Sequence, residues 1–223
     1  INPIILILTG GSPIDISDVE ELADVILFVW YPGEEGGNAV ADIIFGDVSP
    51  SGKLPITFPK SLDQLPPYED YSMAGRTYRY MTKEPRYPFG FGLSYTSFKY
   101  SDGSIEKETV KAGENVNIQV TLENTGVVEA DEVIQLYISD LEAAVDVPLH
   151  SLKEFRRIHL QPGESTQVGF TITPEMMQIV NNDGESVLEP GEFKVSIGGS
   201  SPGRRSAELG AATPVEVLFK VEE

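Results

Sequence analysis

Glu34 and Glu35 stand side by side on a glycine loop, Gly33-Glu-Glu-Gly-Gly37, and Asp47 comes further along the chain. A carboxylate pair serves reactions in which one group holds a proton while the other stays ionised, with burial or a neighbour setting the two apart. These are the best candidates the residues themselves offer, because the loop lies where an apolar strand runs out, and open α/β sheets hold ligands at the carboxyl ends of their strands. Neighbouring side chains on a chain point apart, so Glu34 and Glu35 do not pair with each other, and Asp47 is the nearer candidate partner. Trp30 and Tyr31, at the same strand end, are candidate substrate-binding aromatics. An aromatic that closes a buried strand more often belongs to the core.

Other chemistries find no support. The chain has no Cys, so disulfides and thiolate chemistry do not arise, and its two histidines, His150 and His159, stand apart from any dense group of carboxylates. No metal site, no Ser/His/Asp triad and no cofactor is expected. Thr9-Gly10-Gly11 after a strand invites a phosphate loop, but neither GxGxxG nor GxxxxGK[ST] is present, and Pro13 and Asp15 suit an anion poorly. A net charge of -19 repels nucleic acid and anionic membranes and is indifferent to a neutral sugar. No apolar run approaches the roughly 20 residues that span a bilayer. Compartment is left open.

The elements that position these residues follow from pattern. Ile4–Leu8 and Asp24–Trp30 are short, β-branched apolar runs that read as parallel strands buried on both faces. Ser17 and Glu20 resemble a capping box and predict a helix over Asp18–Ala23. Asn38 reads as the N-cap of a second helix, with Ala39, Val40, Ile43 and Ile44 on one face and an end near Gly46. Leu54–Phe58 is a short extended piece. Two or three strands and two helices cannot cover both faces of a parallel sheet, so apolar faces are expected to stand bare and to be completed by chain beyond this sequence. The start at Ile1 reads as that of a fragment or a processed chain.

Residues 61–92 read as an ordered interdomain linker rich in Pro and Tyr. Tyr78 and Tyr80 alternate with Arg79 as in an extended segment. Tyr68, Tyr71, Tyr78 and Tyr80 are candidates for stacking on sugar, with interdomain packing the stronger expectation. From residue 93 the pattern becomes short alternating strands with regular turn signals. Glu114–Leu122, Asp131–Ser139, Leu152–Leu160, Thr166–Ile172, Phe193–Ile197 and Val215–Val221 belong to a β-sandwich of about seven strands, and Ser200–Thr213 reads as a loop. Arg156, Arg157 and His159 look like an exposed strand face.

The stretch WYPGEEGGNAVADIIFGDVSPSGKLPITFP (30–59) resembles the late part of the second domain of family 3 glycoside hydrolases, the β-glucosidase and β-xylosidase group. RYPFGFGLSY (86–95) is similar to that family's linker signature, and the region C-terminal to it resembles the family's fibronectin-III-like domain. The fold this implies is α/β plus all-β: the C-terminal half of a mostly parallel α/β sandwich over 1–60, the linker, then an immunoglobulin-like (fibronectin-III-like) β-sandwich over 93–223. The resemblance also implies a retaining, exo-acting β-glycosidase with a neutral β-glycoside substrate. In the family the nucleophile is an Asp on a (β/α)₈-type barrel and the acid/base a Glu on an earlier loop, and neither position matches anything here. Glu35 is then expected to fix its own loop by accepting backbone N–H groups, Asp42 and Asp47 to be structural, and the chain to act as scaffold. Its partner would be the N-terminal barrel-containing portion of the same enzyme. The alternative is a non-catalytic carbohydrate-binding or structural module. Residues 1–60 discriminate, since a free-standing module has no use for half a parallel sheet.

Overall fold

A computed structural model describes residues 2–223; Ile1, at which the first expected domain begins, lies outside them. Strand β1 (Ile5–Leu8) runs parallel to β2 (Val25–Phe28), with Ile5 opposite Val25 and Leu8 opposite Phe28. The crossover does not hold the helix that Ser17 and Glu20 predict. It contains a single 3₁₀ turn, Glu20–Leu22, without a side-chain cap. Both capping groups are engaged elsewhere: the Ser17 hydroxyl donates to Asp15 Oδ1 at 2.5 Å, and the Glu20 carboxylate accepts the Tyr87 hydroxyl at 2.6 Å and pairs with Arg86. A neighbouring carboxylate at Ser17 and long-range partners at Glu20 have outcompeted the local cap.

β2 stops at Phe28, short of the expected Trp30, because Trp30 takes a left-handed φ of 54° that no strand continues through. Helix α1 (Gly36–Phe45) begins before the expected N-cap. Glu35 occupies the cap position and Asn38 sits inside the first turn, its amide donating to Glu35 Oε2. The early start depends on Gly36, where a Cβ would fall 2.4 Å from Pro32 Cβ. Gly46 ends the helix in the left-handed conformation. Leu54–Phe58 is extended but joins no sheet. Its Leu54 N–H donates to the Phe91 carbonyl at 2.9 Å, and Phe58 forms an isolated antiparallel bridge with Tyr87.

The connecting segment carries a 3₁₀ turn, Leu62–Gln64, and a one-turn helix α2 (Thr77–Tyr80) where alternation predicts an extended piece. The helical turn brings Tyr78 inward. Its ring stacks on Phe89 at 4.1 Å and its hydroxyl accepts the Leu152 N–H at 3.1 Å, while the Arg79 carbonyl accepts the Leu149 N–H at 2.7 Å.

The sandwich comes next, with β3 (Phe98–Ile105), β4 (Thr109–Lys111), β5 (Val116–Asn124), β6 (Ala130–Asp140), β7 (Ser151–Leu160) and β8 (Ser165–Ile172). A one-turn helix α3 (Pro174–Met177) leads to a small hairpin, β9 (Ile179–Val180) with β10 (Ser186–Val187). Then come β11 (Gly191–Gly198), a short helix α4 (Arg204–Glu208) and β12 (Val215–Glu222). One sheet has the order β4-β12-β11-β6-β7 and the other β3-β5-β8. The expected strands are present; β3, β4 and the small hairpin are additional, β4 and the hairpin being too short to show a period and β3 being irregular between Ser101 and Ser104. α4 lies where the pattern predicts a loop, and Arg204 pairs with Glu208 one turn on at 3.1 Å.

Alternation builds the core directly. Val116, Ile118, Val120 and Leu122 of β5 face Ile134, Leu136 and Ile138 of β6 and Phe193, Val195 and Ile197 of β11, all buried. Each such side chain contributes about 1.5–3 kcal/mol on leaving water. The α/β part has no comparable core. Ile7 and Val25 remain exposed on its strands, and Phe45 at the end of α1 is 82% exposed. Its apolar faces stand bare, as the count of elements requires.

Candidate functional site

Two loops meet at the carboxyl ends of β1 and β2. The Trp30 carbonyl accepts both the Gly10 N–H at 3.1 Å and the Thr9 hydroxyl at 2.5 Å, which holds the left-handed turn in place. Tyr31 lies over Gly11, where a Cβ would come within 2.9 Å of its ring. The Trp30 ring packs at 4.4 Å from Phe28 and 6.5 Å from Phe58, so it is part of a small aromatic core. Tyr31 is 79% exposed and is the free aromatic of the pair.

The structure does not assemble a carboxylate pair here. Glu34 and Glu35 are both exposed, and Glu35 accepts from the Asn38 side chain instead of the backbone N–H groups expected of it. Asp47 sits beyond the far end of α1, and ten helical residues set it about 15 Å from Glu35 along the axis. That exceeds even the roughly 6.5–9.5 Å of inverting glycosidases. Asp42 is exposed on α1. Among the described residues no group of three or more His, Asp or Glu side chains is placed to hold a metal ion.

The ordered polar chemistry lies where the α/β part meets the sandwich, at residues the sequence pattern did not single out. Lys53 Nζ pairs with Glu132 Oε2 at 3.1 Å, and both side chains are nearly buried. Glu132 also accepts the Tyr100 hydroxyl at 2.7 Å, and Lys53 donates to the Gly92 carbonyl at 2.9 Å. Burial first, then the Glu132 charge, raises the Tyr100 phenol well above its usual range. Arg86 is buried and links Glu20, Ser17 and the Lys60 carbonyl. Gln135 donates to the carbonyls of Gly90 at 3.0 Å and Gly199 at 2.9 Å, and accepts the Tyr137 hydroxyl at 2.5 Å. The signals in the sequence were Lys53, the one cation of residues 30–59, and Arg86 at the head of an apolar, glycine-rich motif.

Of the connecting tyrosines, Tyr78 packs between the parts as described, Tyr80 is half-buried, and Tyr68 and Tyr71 are exposed. Arg156, Arg157 and His159 are exposed; Arg157 and His159 both engage Asp131, at 2.5 and 2.8 Å. His150 instead lies between Tyr78 and Tyr137, each ring 5.6 Å away. Burial pushes its pKa down to about 4. No described helix is long and apolar enough to cross a membrane.

Comparison with known proteins places this architecture. The family model described as the glycosyl hydrolase family 3 C-terminal domain matches residues 1–95, and a fibronectin type III-like domain matches residues 132–201. A β-xylosidase of Formosa agariphila is 42% identical over 205 residues, covering 90% of this chain and 28% of the relative. A periplasmic β-glucosidase of Salmonella typhimurium is 41% identical over 209 residues, covering 88% of this chain and 27% of the relative. The crystal structure of a Listeria innocua β-glucosidase in complex with laminaribiose matches 99% of this chain and 31% of its own, with a TM-score of 0.83 and 32% identity. The chain thus spans little more than a quarter of the length of these curated relatives.

Proposed function

Because this chain belongs to glycoside hydrolase family 3, we propose that it is the C-terminal portion of a retaining, exo-acting β-glycosidase. The nucleophile and the acid/base then reside on an N-terminal, barrel-containing portion, and this chain is their scaffold. Residues 1–60 contribute the late half of a mostly parallel α/β sandwich, 61–92 join it to the rest, and 93–223 form the bracing fibronectin-III-like sandwich. The substrate is a neutral β-glycoside, and no cofactor is called for. The observation that carries this reading is the bare pair β1–β2 with α1, whose exposed Ile7, Val25 and Phe45 leave an apolar surface for the N-terminal portion to cover. The separation of Asp47 from Glu34 and Glu35 supports it from the other side. Tyr31 is the residue of this chain best placed to offer an aromatic face to the sugar, and Trp30 fixes the turn that carries it.

The test is to purify material containing this chain, weigh it under native and denaturing conditions, and assay it on 4-nitrophenyl β-D-glucoside and β-D-xyloside. Hydrolysis is expected only where the chain is joined or bound to a barrel-bearing polypeptide. A 24.4 kDa monomer that cleaves either substrate by itself would overturn the scaffold assignment.

A further inference from the structure

A cleft of about 530 Å³ opens between the connecting segment and the sandwich, walled by Tyr78, Phe89, Leu149 and Pro202. Small-molecule sites typically occupy about 300–1,000 Å³. Among the described residues, three buried side-chain polar atoms have no hydrogen-bond partner: Thr57 Oγ1, Arg86 Nε and His150 Nε2. Thr57 and His150 both belong to the lining of this cleft. Arg86 adjoins it, its carbonyl accepting the Arg205 Nε–H at 3.1 Å. Buried polar atoms find partners in all but a few cases, so two orphans at one cleft leave two hydrogen bonds for a water or a ligand to complete.

The chemistry of the walls selects its class. Of the three cations in the lining, Arg204 and Arg205 are already engaged with carboxylates, and Lys83 lies 3.5 Å from the Asp63 carbonyl. Arg204 pairs with Glu84 at 2.9 Å and Glu208 at 3.1 Å, and Arg205 with Glu208 at 3.7 Å. His150 is held neutral by burial, so it offers a hydrogen bond and no charge. A neutral imidazole nitrogen donates or accepts according to tautomer, and a threonine hydroxyl does both. A ligand hydroxyl satisfies either atom whichever role it takes, and Leu149 and Pro202 supply apolar walls for C–H groups. Alternating hydroxyls and C–H faces are the surface of a pyranose. We infer that this cleft is a non-catalytic site for one neutral sugar ring, bridging Thr57 of the α/β part to His150 of the sandwich. Both orphan atoms are closed off from solvent, so the sugar reaches them only with rotation of Thr57 about χ1 and a turn of the His150 ring. The inference stands apart from the hydrolase reading, since it needs neither the barrel nor the catalytic pair.

The chain has two histidines, so its imidazole proton resonances give a direct readout. D-Glucose and D-xylose are titrated separately into the chain to tens of millimolar, with the His150→Phe variant assigning the signals. The His150 signal is expected to shift saturably while that of exposed His159 stays in place. Thr57→Val should weaken the response by about two- to tenfold, the loss of one hydrogen bond. Should His150→Phe fail to fold, the buried imidazole is assigned by its titration near pH 4, and Thr57→Val carries the test. Equal linear drift of both signals, or no shift with either sugar, overturns the proposal. So does saturation by inorganic phosphate in place of sugar, which would make the cleft an anion site.

Discussion

Trp30 carries the backbone angle that decides what the strand end presents. Its left-handed turn folds the indole onto Phe28 and Phe58 and leaves Tyr31 outside. That reversal was not legible, because a β-branched run ending in Trp reads as continuous strand. Glu35 likewise looked chemical only until its surroundings were known. General acid–base groups contribute about 10²–10⁴-fold, whereas Glu35→Gln in the joined enzyme is expected to lower kcat less than about tenfold on 4-nitrophenyl β-D-glucoside. Lys53 and Glu132 form the costlier contact. Removing one partner of a buried ion pair costs about 3–5 kcal/mol, so Lys53→Ala should lower the stability of the chain by about that amount in urea unfolding. His150 sets a pH dependence. Its pKa falls from 6.5 when unfolded to about 4 when folded, so the unfolded chain binds the extra proton between those values. The stability this contributes is whole above pH 6.5 and is lost as pH falls toward 4, up to about 3 kcal/mol. The difference in urea midpoint between the parent chain and His150→Phe should vary across that window and level off outside it.

Elements with a strong period were readable and those held by distant partners were not. β5 and β8 alternate cleanly because one face of each meets the other sheet, whereas β6 and β11 are buried on both faces over part of their length; the place of all four in the sequence was evident. The capping box at Ser17 and Glu20 misled because its carboxylate is claimed by Arg86 and Tyr87, more than sixty residues away. Asn38 misled for a steric reason, since Gly36 admits a helix start against Pro32 that a larger residue would block. α2 turned helical where its tyrosines alternate, because Tyr78 had to reach both Phe89 and Leu152. Glycine also sets how closely elements approach. A Cβ at Gly92 would lie 2.2 Å from the Gly52 carbonyl oxygen, a backbone atom that cannot swing aside. Gly92→Ala should therefore cost at least about 2 kcal/mol, read as a lowered urea midpoint.

At the scale of the whole molecule, stability is distributed unevenly. The sandwich owns a continuous core; the α/β part reaches it directly through Lys53 and Glu132, and through the connecting segment, which Arg86 and Tyr87 tie to the α/β part and Gln135 ties to the sandwich. Native-state hydrogen exchange should find β5, β6 and β11 opening only with global unfolding, while β1, β2 and α1 exchange far sooner. Slow exchange of β1 and β2 in the chain alone would contradict the view that their faces await a partner. The two-stranded pair has one more property. Each of its strands has a neighbour on one side only, so the outer rows of N–H and C=O groups on β1 and β2 form a template for further strand addition. A chain produced by itself should therefore gather into oligomers through this edge on gentle warming, well before the sandwich melts. Light scattering would follow the growth, and Ile7→Lys should suppress it.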